Sequence, residues 1–137
     1  MRLHATCVAV EGHGVLILGA SGSGKSSLAL ELMAFGAQLV ADDQTIIENV
    51  GGLPVASAPD VTLGAVEARG VGLLAAKPAG PTVVTLVIDL DQIETKRLPP
   101  ERAMTLHGQI IPLLHKLERP YFPAAILQYI KAGRAQL

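Results

Sequence analysis

The sequence predicts an α/β fold: one domain over residues 1–137, built on a mixed, strand-rich sheet with few helices. Three observations lead there. Half of the 137 residues are hydrophobic, mainly Ala, Val, Leu and Ile, only 3% are aromatic, and there is no tryptophan. That composition suits sheets covered on their faces. Short apolar runs separated by Gly and Pro recur along the chain, as strands and turns require. One such run, residues 14–18, feeds Gly19, Ala20, Ser21, Gly22, Ser23, Gly24, Lys25 and Ser26, which fill every fixed position of the pattern GxxxxGK[ST]. A segment of helical composition comes next. Strand, glycine-rich loop and helix together aim a helix N-terminus at a phosphate.

Taken in order, residues 3–10 read as a strand, and residues 11–14 turn it back into a second strand over residues 15–18. A helix is expected over residues 25–35, stopped by Gly36. Residues 38–41 return as a strand that delivers Asp42 and Asp43 at its end. Residues 45–50 and 53–56 suggest a hairpin around Gly51 and Gly52. A turn or short helix is expected over residues 59–64, and a glycine-rich loop over residues 66–72. Residues 82–90, crowded with Val, Thr and Ile, give the clearest strand. Pro99 and Pro100 break the chain, residues 104–114 read as a short turn and a strand, and residues 123–132 as a closing helix.

Charge and cysteine usage narrow the function. The net charge is −1 with no long basic run, so no nucleic-acid surface is advertised. Cys7 is the sole cysteine, which rules out an intramolecular disulfide and favours a reducing compartment. No apolar run has bilayer-spanning length, and no signal pattern opens the chain. The expectation is a soluble, cytoplasmic protein without membrane association.

The loop carries the sharpest chemistry. Its glycines let successive N–H groups from Gly19 to Ser27 turn toward nucleotide phosphates. Lys25 reaches the terminal phosphates, and the Ser26 hydroxyl is suited to Mg²⁺. Asp42 and Asp43 follow a buried-looking strand, where α/β proteins place site residues. There a carboxylate holds Mg²⁺ or accepts the proton of an attacking hydroxyl; a solvated turn is the competing reading. Glu67 and Arg69 could complete a metal and phosphate site, form a surface ion pair or mark an ordinary strand end. His4 starts a strand and by spacing alone is structural or solvated. Arg97 sits in a basic turn that is either solvated or in contact with phosphate. No histidine pair has zinc-ligand spacing.

The order of these pieces resembles the catalytic domain of bacterial HPr kinase/phosphorylase, a fold of the phosphoenolpyruvate carboxykinase-like, HPr kinase type. The similar stretches are Leu3-His4-Ala5-Thr6 with residues 12–26, Leu39-Val40-Ala41-Asp42-Asp43, and Val66-Glu67-Ala68-Arg69-Gly70-Val71-Gly72, which looks like the family's Glu-Ile-Arg-Gly-Leu-Gly signature. Similarity runs from Leu3 to about Pro112. The resemblance implies transfer of the ATP γ-phosphoryl group to a serine of the phosphocarrier HPr, with Mg²⁺ as cofactor. It implies that Asp43 exchanges the serine proton, His4 and Arg97 stand around phosphate and serine, Lys25 binds phosphate, and Ser26, Glu67 and Asp42 serve the metal. It also implies a homo-oligomer, hexameric in the family.

The sequence departs from that family in places. Ala5 stands where glycine is usual, and Ser27 where Glu is common. The resemblance begins at the family's catalytic domain, so a truncated form of the alphaproteobacterial kind is expected. Of the C-terminal Pro-Val-(Arg/Lys)-Pro-Gly-Arg-Asn segment associated with dephosphorylation, only Arg119-Pro120 is reminiscent. Kinase activity is therefore expected, with phosphorylase activity weak or absent. Two rivals stand beside it: a nucleotide-binding regulatory module without turnover, and a small-metabolite kinase.

Overall fold

Strand β9 (Thr82–Ile93) organises the molecule, because three other strands pair with it. The computed structural model describes residues 1–136. Along the chain run β1 (Arg2–Leu3), β2 (Ala5–Val10), β3 (His13–Leu18), α1 (Lys25–Ala34), β4 (Gln38–Ala41), β5 (Thr45–Val50) and β6 (Leu53–Ser57). A 3-10 turn at Asp60–Thr62, β7 (Ala65–Ala68) and β8 (Gly72–Ala75) precede β9, and β10 (Arg102–Leu106), β11 (Gln109–Lys116) and α2 (Phe122–Ala132) come after it. The main sheet has the order β1-β5-β6-β9-β3-β2-β4. One edge of β9 pairs in parallel with β3; its other edge is shared by β6 at Thr82–Val83 and, further on, by β11 in parallel. The sheet is therefore mixed, as expected of the fold class, with helices α1 and α2 few among many strands.

Alternation along the central strands divides the core in two. Val15 and Ile17 of β3 and Leu86, Ile88 and Leu90 of β9 face α1 and α2, which contribute Leu28, Ala29, Leu32, Phe122 and Ile126. Leu16, Val84 and Val87 face the opposite side, beneath the hairpins that supply Ile47, Ala56, Leu106 and Ile111. Ile17, Ile88 and Leu16 are fully buried, each stabilising the fold by roughly 1.5–3 kcal/mol. The period of two breaks at Thr85. Gly14 pairs with Val84 but Val15 with Leu86, so Thr85 is an extra residue, a β-bulge that switches the facing of the residues beyond it. Gly14 is required there: a Cβ would lie 2.6 Å from the Val83 carbonyl oxygen.

Three hairpins share one turn chemistry. Glu11-Gly12, Gly51-Gly52 and His107-Gly108 have positive φ at both central residues, the mark of the type I′ turn that suits the twist of paired strands. Helix α1 buries Lys25, Leu28, Ala29 and Leu32, spaced as one helical face. Among the described residues no helix is long and apolar enough to cross a membrane.

Several elements differ from expectation. Residues 66–72 are not a loop: β7 and β8 pair antiparallel, and only residues 69–71 turn, with Gly70 at φ 90°. The glycines marked the turn, while alternation of buried Val66 with exposed Glu67 built the strands beside it. Residues 104–114 contain two strands rather than one, joined at His107-Gly108. The first strand is interrupted at His4, because β1 pairs with β5 while β2 pairs with β3 and β4.

Candidate functional site

Strand β3 ends at Leu18, and residues 19–24 loop directly into α1. Gly24 is the N-cap at φ 101°, with no side-chain cap and no acidic residue in the first turn. The helix start thus keeps free donors, which favour an anion. The loop is closed from within. Lys25 is only 7% exposed, and its Nζ donates to the carbonyls of Gly19 at 2.7 Å and Ala20 at 3.0 Å. Ser23 N–H donates to Ala20 O, and Ala20 N–H to Asp91 Oδ1 at 3.0 Å. A Cβ on Gly19 would collide with Ser23 Oγ, a buried hydroxyl without a hydrogen-bond partner among the described residues.

Strand β4 brings Asp42 underneath the loop. Buried at 5% exposure, its carboxylate accepts three hydrogen bonds. Thr6 Oγ1 and Ser26 Oγ donate to Oδ1 at 2.8 and 2.7 Å, and Glu67 N–H donates to Oδ2 at 3.0 Å. Asp42 therefore ties β2, α1 and β7 together. Both its oxygens are engaged, and Oδ1 orients the Ser26 hydroxyl.

The next residue points the other way. Gln44 N–H donates to Asp42 O at 2.7 Å, closing a three-residue turn around Asp43 at φ 66°. That γ-turn with positive φ is strained, and it leaves Asp43 exposed toward the loop. Asp43 Oδ1 lies 3.3 Å from His4 Nδ1, while His4 Nε2 lies 3.3 Å from Ser21 Oγ. The break between β1 and β2 is what places His4 there.

A cavity of about 290 Å³ gathers these groups: His4, Ser21, Lys25, Ser26 and Asp43 line it with Glu67 and Arg69 from the β7–β8 hairpin. Gly22, Gly24 and Ser27 also line it, whereas Ser23 faces the other side of the loop. Arg97 does not join. It lies past the end of β9 and lines a separate groove with Lys96 and Tyr129. Its segment is held away by the Glu94–Arg102 pair and by Arg134 donating to Pro99 O. Arg102 also holds the Glu94 carboxyl below its ordinary range.

Sequence reasoning missed Thr6 and Asp91. Thr6 was legible as the lone hydroxyl in the apolar strand Ala5–Val10. Asp91 was legible only once β9 was known to neighbour β3, since a carboxylate beyond a strand end can reach the adjacent loop. For a hard cation the cavity offers oxygen donors, Ser26 Oγ and the Glu67 carboxylate. Among the described residues no group of three His, Cys, Asp or Glu could cage a metal. That donor set fits Mg²⁺ arriving with a phosphate ligand, which needs only one or two protein groups.

Fold and site define a strand-rich α/β domain of the HPr kinase type. The same fold occurs in the HPr(Ser) kinase/phosphatase from Coxiella burnetii, with TM-score 0.78 and 24% identity, over 96% of this chain and 88% of that one. The family model for the HPr Serine kinase C-terminal domain matches residues 1–105, and the chain belongs to that family. Among curated relatives it is 49% identical over 73 residues to the HPr kinase/phosphorylase of Clostridium tetani and 45% identical over 73 residues to that of Clostridium botulinum. These matches cover 53% of this chain and 24% of each relative, about a quarter of their length.

Proposed function

We propose that this domain is an ATP-dependent protein-serine kinase whose acceptor is HPr. The observation that carries the reading is the cavity where the loop side chains Lys25 and Ser26 meet the exposed carboxylate of Asp43. Loop amides and the α1 N-terminus would hold the phosphates of ATP, and Lys25, released from Gly19 O and Ala20 O, would follow the terminal phosphate. The acceptor serine oxygen attacks the γ-phosphorus, its proton passes to Asp43, and the bond to the β–γ bridging oxygen breaks to release ADP. His4 orients Asp43 from one side. Ser26 and Glu67 would hold Mg²⁺, which would supply charge neutralisation at the phosphate oxygens. Arg69 adds a cation at the cavity mouth, suited to phosphate.

The family membership supports HPr as the acceptor, and the names of the curated relatives pair kinase with phosphorylase activity. Residues 117–123 depart from the dephosphorylation segment, so the kinase direction is expected to dominate. The test is transfer of labelled γ-phosphate from Mg-ATP to HPr, with HPr lacking its target serine, Lys25→Ala and Asp43→Asn alongside. Label that requires the serine, Lys25 and Asp43 supports the reading. ATP binding without label points to a regulatory module, and undiminished label with Asp43→Asn removes Asp43 from its role.

A further inference from the structure

We infer that the nucleoside half of the nucleotide lies in a second cavity, across the phosphate loop from Asp43, with Arg119 and Glu31 as its recognition residues. The inference rests on the kinase reading and names what would distinguish a nucleoside triphosphate from a bare phosphate chain. The second cavity also measures about 290 Å³ and lies between α1 and the connection from β11 to α2. That size lies at the lower end for small-molecule pockets and suits one nucleoside. Gly24 and Ser27 line both cavities, so the two meet at the start of α1. A phosphate chain with its terminal group at Asp43 runs back along the loop and leaves beside Ser27. The group attached to its far end then has this cavity to enter.

The lining suits a nucleoside. Leu117 and buried Phe122 form an apolar wall. Arg119 is exposed, and its described hydrogen bond goes to the carbonyl of its neighbour Glu118. Among the described residues it makes no ion pair. A planar guanidinium in that state is free to stack on a base. Glu31 stands one helical turn beyond Ser27 on α1 and lines the same cavity. Its carboxylate is an acceptor, and a ribose offers hydroxyl donors.

Calorimetric titration with Mg-ATP and, separately, with inorganic triphosphate tests this. Wild type should bind Mg-ATP about tenfold more tightly than triphosphate. Arg119→Ala should close that gap and leave triphosphate binding unchanged, with Glu31→Gln closing part of it. If Arg119→Ala binds Mg-ATP as tightly as wild type, or loses triphosphate equally, the nucleoside lies elsewhere and the kinase reading stands. Wild type that binds neither ligand overturns both. Photolabelling with 8-azido-ATP should mark residues 117–123, and labelling confined to other segments would sink the assignment.

Discussion

His4 Nδ1 stands 3.3 Å from Asp43 Oδ1 while its other ring nitrogen stands 3.3 Å from Ser21 Oγ. An ionised carboxylate only accepts, so the proton of a neutral His4 belongs on Nδ1, and Nε2 accepts from the Ser21 hydroxyl. Ser21 thus fixes the ring that orients Asp43. Ser21→Ala should lower kcat about fivefold, the worth of one hydrogen bond of about 1 kcal/mol, with the KM for ATP little changed. Ser21→Thr should restore it. Steady-state kinetics decide, and a Ser21→Ala enzyme with wild-type kcat would dismiss the relay.

Asp42 is predicted to matter first for stability. Asp42→Ala leaves the hydroxyl of fully buried Thr6 and the N–H of Glu67 without their acceptor. The expected loss is about 1–3 kcal/mol, read as a lower denaturant midpoint. An unchanged midpoint would mean that water satisfies both donors.

Two glycines separate steric from conformational need. At Gly14 a Cβ meets a backbone carbonyl, so Gly14→Ala should destabilise by about 1–3 kcal/mol through overpacking. Gly12 sits at φ 81° with nothing within 4 Å, so Gly12→Ala should cost only about 1 kcal/mol of backbone strain. Urea titration of both variants checks the order, and equal losses would contradict the bulge contact.

Cys7 should be inert while the chain is folded. It is fully buried, and burial pushes its thiol up to about 12. Since the thiolate is the reactive form, a disulfide reagent at pH 8 should label it only as fast as the fold opens. Rapid labelling of the native protein would show that β2 is more open than the structure has it.

The loop pattern, the strand before it and the helix after it were legible because each is local. Asp42 and Asp43 were legible as a pair, but their division of labour was not. Which one lies buried under Ser26 depends on the tight turn at Asp43, a feature of backbone geometry with no compositional mark. Residues 66–72 misled because glycines mark a turn without marking how short it is. Arg97 shows the same limit at longer range. Local sequence makes it a basic turn, while its placement depends on how far β9 extends and on Arg134, far along the chain, bonding back to Pro99.

The cavity's protein groups all come from residues 4–69, yet the strand that borders the loop-bearing β3 on its open side begins only at Thr82. During synthesis from the N-terminus, every group that lines this cavity is made before the scaffold that can hold them in register. Parallel pairing of β3 with β9 has to close a long intervening stretch of chain, which is slow. The cavity is therefore expected to form late, with the pairing of β9 against β3, and a nascent chain carrying the full loop motif should lack an ordered cavity until β9 emerges.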